Sequence, residues 1–165
     1  LNSYIKPAVD NFWNEVPTSR LRLEAAGFYD PFPVDVNTSI LCSPTDSQCI
    51  SNATNQSKVL IPGVKGIVIA CNRDLDNFNG SADVLAVAVP NNFNGKNIEG
   101  AMILINDGPS PGFVNLSKAD RISVIAHEIG HAIGLGHALD KNPEALMYFK
   151  ESGLRRNLAQ DDIDG

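Results

Sequence analysis

His127-Glu128-Ile129-Gly130-His131-Ala132-Ile133-Gly134-Leu135-Gly136-His137 is the stretch on which the reading of this chain turns. Upstream, Ser117 with Asp120 resembles a capping box with Asp in the Glu position. A helix of about four turns is expected from there, until Gly134 and Gly136 stop it. On that helix His127 and His131 are four residues apart, so their rings project from one face about a turn apart. The spacing lets two imidazole nitrogens reach one cation at about 2.0–2.1 Å. Glu128 is rotated roughly a quarter turn from His127, beside the cation rather than on it, where it can touch a metal-bound water. Gly134 can take a positive φ, so the chain can leave the helix sharply and bring His137 round as a third nitrogen ligand. Three His ligands leave a fourth position for water, the arrangement of a catalytic rather than a structural zinc site.

A lone His on a helix is ordinarily solvated or hydrogen-bonded, but all three His of this chain fall within these eleven residues. At average residue usage the pattern arises by chance on the order of once in 10⁵ chains of this length. A purely structural zinc site would have no use for Glu128.

The surrounding composition is compatible. The 165 residues are enough for one domain with a hydrophobic core and too few for two ordinary ones. The content, 43% hydrophobic and 19% charged, is that of a folded protein. A formal charge of −6 disfavours nucleic acid or an anionic membrane as the main partner, since both reward clustered positive charge. The apolar stretch Ile122 to Leu139 has the length of a membrane span, but three His and a Glu within it make a span too costly. Leu1–Tyr4 lacks the basic start of a signal peptide, so the chain reads as a mature form or an excised domain. Cys42 and Cys49 close a short polar loop and are candidates for a local disulfide; the alternative is that these and Cys71 are plain thiols. Sequons at Asn37, Asn52, Asn55, Asn79 and Asn115 are compatible with secretion.

Along the chain, Ile5, Ala8, Val9, Phe12, Trp13 and Val16 recur at helical spacing, and Pro17 ends the first helix. Leu21, Leu23 and Ala25 alternate with charged residues at the period of a half-buried strand. Gly27 to Gly66 reads as a long irregular excursion with a short strand at Val59–Ile61. Gly66–Cys71, Val84–Val89 and Ala101–Ile105 are three short apolar runs bounded by turn residues, hence strands. The polar segment 90–97 would join the second and third as antiparallel neighbours.

His127-Glu128-x-x-His131-x-x-Gly134-x-x-His137 resembles the extended motif of the metzincin metalloproteases, and Ala145-Leu146-Met147-Tyr148 looks like their Met-turn. Within that clan the chain is most similar to the matrixins, the matrix metalloproteinase family. Tyr148 directly after Met147 carries that resemblance, together with Leu158-Ala159-Gln160-Asp161-Asp162-Ile163-Asp164-Gly165, similar to the family's final helix. The resemblance is close from about Val84 onward and fades across Gly27–Gly66. It implies an α/β (α+β) domain: a twisted, mainly parallel sheet with an antiparallel edge strand, an active-site helix and a short C-terminal subdomain. Residues 1–165 would form one catalytic domain, with about 1–134 as its upper part and about 135–165 as its lower part.

The function so implied is zinc-dependent endoproteolysis outside the cell by a monomer acting on an extended peptide or protein. His127, His131 and His137 would hold the zinc, Glu128 would be the general base, and Met147 a hydrophobic floor. Leu85 and Ala86, on the edge strand, would pair with the substrate main chain. Alternatives are a metzincin of a non-matrixin family and a zinc-holding binding protein without turnover. Where the family usually has Pro and Tyr after the Met-turn Tyr, this chain has Phe149 and Glu151, so the family's specificity pocket does not carry over. No His remains to hold the family's second, structural zinc. Asp74, Asp76 and Asp107 are candidates for an oxygen-ligated calcium (Ca2+).

Overall fold

A computed structural model describes residues 2–27, 65–72, 75–78, 80–108, 112–138, 143–148 and 157–164. The short strand expected at Val59–Ile61, the pair Cys42 and Cys49, Asp74, Phe149, Glu151 and the sequons at Asn37, Asn52, Asn55 and Asn79 lie outside them. The chain forms two compact units, one from Leu1–Gly27 with Leu116–Gly165 and one from Phe28–Asn115.

The second unit holds a three-stranded mixed sheet in the order β1-β3-β2, with β1 Gly66–Asn72, β2 Ala86–Asn94 and β3 Asn97–Asn106. β1 and β3 are parallel, while β2 runs antiparallel to β3 at an edge of this sheet. The apolar run of β3, Ala101 to Ile105, is buried on both faces, as a central strand requires. On one face Leu104 stands abreast of Ala70 and Val87 in the register. Phe78 and Met102 complete a cluster with them and with Val84.

The segment 90–97, expected as a loop, is mostly strand. β2 continues to Asn94, and only Gly95 and Lys96 make the turn to Asn97, with Gly95 at φ 63°. A two-residue hairpin needs that positive φ to match the twist of its strands. Pro90 is tolerated because it sits on an edge strand beside a register shift, where no ladder hydrogen bond is forfeited.

The first unit is built on α1 (Asn2–Asp10) packed against α2 (Lys118–Ala132). The first helix does not run unbroken to Val16 as its periodicity predicts. It stops at Asp10, Phe12 leaves helical geometry at φ −121°, ψ −83°, and a 3₁₀ turn follows over Trp13–Glu15. Ala8, Val9, Phe12, Trp13 and Val16 are nonetheless all buried, so the apolar stripe survives the break.

The expected strand at Leu21–Ala25 is likewise absent among the described residues. Both peptide groups of Leu23 are taken by one side chain: its N–H donates to Asn14 Oδ1 at 2.8 Å, and its carbonyl accepts from Asn14 Nδ2 at 2.9 Å. An amide side chain thus supplies the pairing that a neighbouring strand would otherwise give. A last short helix, α3 (Gln160–Asp164), falls where the final-helix resemblance places it.

Candidate metal centre

Local signals in the sequence set both ends of α2. Ser117 caps the start, its Oγ accepting from the Asp120 N–H at 3.2 Å and meeting Asp120 Oδ2 at 2.7 Å. The shorter Asp thus meets the capping hydroxyl, whereas a Glu in a capping box reaches the backbone N–H. At the other end Gly134 takes φ 108°, its N–H donating to His131 O at 3.0 Å and that of Leu135 to Gly130 O at 2.9 Å. That pair of bonds is a Schellman motif, which needs a residue free to adopt positive φ. It reverses the chain so that His137 returns toward the helix.

The three histidines meet there. One ring nitrogen from each of His127, His131 and His137 lies within 4.8 Å of the other two, the one such grouping of three or more potential ligands among the described residues. His127 Nδ1 lies 2.7 Å from Leu146 O, and His131 Nδ1 lies 2.8 Å from Leu135 O. A carbonyl can only accept, so each Nδ1 carries the proton and leaves Nε2 with a lone pair. His131 Nε2 stands 3.1 Å from His137 Nε2. Two nitrogens bound to one tetrahedral zinc at about 2.0–2.1 Å would stand roughly 3.3 Å apart. The observed separation is close to what one shared ion would impose, and an all-imidazole donor set suits zinc. Burial lowers the His127 pKa to about 4 despite the opposing hydrogen bond to Leu146, and burial also lowers that of His131. Both rings are therefore neutral at pH 7, the form that binds metal.

Glu128 is buried at 5% exposure on the helix turn of His127. Met147, 2% exposed, lies in the tight turn closed by the Tyr148 N–H on Ala145 O. Its carbonyl accepts from the Ala138 N–H at 2.8 Å, which ties the segment after His137 to this turn. Leu85 and Ala86 belong to the other unit; Ala86 opens β2, Leu85 precedes the strand instead of lying on it as expected, and both are buried. Asp107 is half-buried, and its N–H donates to Asn72 O at 3.2 Å.

Several supports were not singled out from the sequence. The carboxylate of Asp162, 5% exposed, accepts from the N–H groups of Leu146, Met147 and Ala159 at 2.8, 2.9 and 2.7 Å. It thereby fixes the turn whose Leu146 carbonyl orients His127. Gly130 is the second: a Cβ there would overlap Met147 Sδ and come within 2.8 Å of Trp13 Cζ2. A glycine inside a strongly helical pattern was the available signal, since helices tolerate it at a cost only for a packing reason. Gly130→Ala should thus destabilise the protein by about 1–2 kcal/mol, although propensity alone favours Ala by about 1 kcal/mol. Denaturant unfolding would show this as a lower midpoint; a raised midpoint would mean that the contacts relax freely.

Residues 69–165, more than half of the chain, match the Matrixin family model. The chain belongs to the matrixin family. This matrixin is 38% identical over 85 residues to Karilysin of Tannerella forsythia, an alignment covering 52% of the chain and 17% of that protein. It is 53% identical over 51 residues to Metalloendoproteinase 1 of Glycine max, covering 30% of the chain and 16% of that protein. The matrixin chain thus spans under a fifth of the length of these relatives. No solved structure matches it significantly. Membership in this family of metalloendopeptidases implies zinc, and the three histidines are a donor set that fits it.

Proposed function

We propose that this chain is a zinc-dependent endopeptidase domain that cleaves extended polypeptides, with residues 1–165 working as a single catalytic domain. The observation that carries the reading is the convergence of three imidazoles beside a buried carboxylate in a matrixin chain. His127, His131 and His137 would hold the ion, which when bound polarises a carbonyl and acidifies water toward neutral pH. Glu128 acts as the general base: it removes a proton from the attacking water and delivers it to the leaving amine as the peptide bond breaks. Met147 backs the helix at Gly130 and keeps the turn behind the histidines closed.

β2 is the proposed docking strand. An extended peptide can add to a sheet edge through main-chain hydrogen bonds, whatever its side chains. The Leu85 carbonyl already accepts from the Asn106 N–H at 2.9 Å, so Ala86 and Ala88, of opposite parity, turn their peptide groups away from β3. Ala88, half-buried where Ala86 is buried, is the better placed to meet a peptide, and Leu85 and Ala86 serve by packing. No described helix is long and apolar enough to cross a membrane. The family assignment supports a protein working outside the cell, and we take it to act as a monomer.

Purified protein should contain close to one zinc per chain, and His127→Ala, His131→Ala or His137→Ala should each largely empty the site, since each removes one of three protein bonds to the ion. Metal analysis would test this; full occupancy in all three variants would refute the ligand set, and a ratio near two would reveal a second one. A peptide-library digest with and without chelator would test the activity. Tight zinc with no cleavage would identify a binding protein instead.

A further inference from the structure

We propose that Trp13 is a positioning residue for the metal site, holding the helical turn that carries His127 and His131 in register with the turn around Met147. The inference rests on the metal reading above. Its basis is where the contacts of this side chain fall. Trp13 is 3% exposed, and its indole N–H donates to Ala126 O at 2.8 Å, across 113 residues of sequence. Ala126 immediately precedes His127. On the same edge of the ring, Cζ2 abuts Gly130, which immediately precedes His131.

Helix geometry already gives the Ala126 carbonyl to the N–H of Gly130, so the indole is a second donor on an occupied acceptor. The same point beside Gly130 is shared with Met147 Sδ, so sulfur and indole close over one helix position as neighbours. Met147 follows Leu146, whose carbonyl receives His127 Nδ1–H. The contacts therefore form a circuit: Trp13 to Ala126 and Gly130, Gly130 to Met147, Leu146 to His127. A rotation or slide of α2 against the Met147 turn would move the His127 ring away from its carbonyl, and Trp13 is the side chain placed to prevent it. The 3₁₀ turn after Asp10 takes part, because it departs from the helix path at the residue before Trp13.

The test compares zinc-loaded wild type, Trp13→Phe and Val9→Ala. Val9 is buried in α1 and is not one of the residues of this circuit, so it reports what plain loss of packing does. Zinc release into excess chelator is followed well below the unfolding transition, with the visible spectrum of the Co2+-substituted proteins as a second readout. Groups that orient metal ligands from outside the coordination sphere typically change affinity 10–100-fold when removed. Trp13→Phe should release zinc at least about tenfold faster than wild type and shift the Co2+ bands, while Val9→Ala keeps the wild-type rate and bands.

Trp13 is the chain's single tryptophan, so biosynthetic replacement of tryptophan by benzothienylalanine alters this site alone. That analogue keeps the bicyclic ring and lacks the N–H, which decides the matter even if Trp13→Phe fails to fold. Faster release with shifted bands in either protein supports the proposal. Release and bands matching those of Val9→Ala in the folded proteins overturn it while leaving the zinc site standing. A wild-type protein without tight zinc would overturn the metal reading and this inference with it.

Discussion

Glu128→Ala is expected to keep its fold and its zinc and to lose peptide cleavage by about 10²–10⁴-fold, equivalent to roughly 3–5 kcal/mol of barrier. The two halves of that expectation have separate origins. Zinc should stay because the three converging donors are His127, His131 and His137, with Glu128 outside the set. Cleavage should fall because a general base contributes in the transition state, where a proton leaves the attacking water as the new bond forms. The loss should appear in kcat, with KM little changed, because the carboxylate makes no proposed contact with the peptide before reaction. Glu128 is 5% exposed, so the shape-conserving Glu128→Gln is the companion that guards against a packing artefact. Near-wild-type turnover in both variants, measured on the same peptide, would remove Glu128 from its role.

The site was readable from sequence to the extent that its determinants are local. His127 and His131 owe their relation to one helix, Ser117 and Asp120 mark its start, and Gly134 marks its end through a backbone conformation that favours glycine. Each of these acts over a few residues, the range over which periodicity and capping are informative. The supports behind the histidines are different in kind. Asp162 bonds Leu146 and Met147 from 16 and 15 residues away, and Trp13 reaches Ala126 from 113 residues away. Nothing adjacent in sequence distinguishes Asp162 from Asp161, although the former is buried and the latter exposed.

The two departures in the first unit have the same explanation. Phe12, Trp13 and Val16 continue the apolar stripe of α1, so burial gives no sign that the backbone has changed from α to 3₁₀. Leu21 to Ala25 alternates as a strand does, yet Asn14 satisfies the Leu23 peptide groups, and a side-chain partner leaves no period in the sequence. In the sheet the apolar runs marked the strands, but each strand ends later than its run, and β2 opens at Ala86 rather than Val84. Hairpin pairing draws polar residues such as Asn92, Asn94 and Asn97 into the ladder, whatever their propensity.

Asp162→Ala should be the most damaging single change to stability outside the metal ligands. One carboxylate receives three backbone N–H groups, those of Leu146, Met147 and Ala159, and the first two bonds are fully buried. Hydrogen bonds to a charged group are worth about 1.5–3 kcal/mol each, and a buried donor left without an acceptor costs about 1–3 kcal/mol. Some of those donors will find water once the side chain is gone, so a loss of about 3–5 kcal/mol is expected. For a chain of this size that lowers the unfolding midpoint by roughly 6–20 °C. The damage should reach the metal as well, because the peptide unit whose Met147 N–H donates to Asp162 Oδ1 also carries the Leu146 carbonyl that faces His127 Nδ1. Zinc affinity in the molecules that remain folded should fall about 10–100-fold. Asp162→Asn grades the two effects: its single carbonyl oxygen can keep the bonds from Leu146 and Ala159, which share Oδ2, while the Met147 N–H loses its acceptor. Asn should therefore be intermediate in both unfolding midpoint and zinc affinity. Thermal unfolding and chelator competition on the two variants would check both; an Ala variant as stable as wild type would mean that the turn around Met147 is held by packing alone.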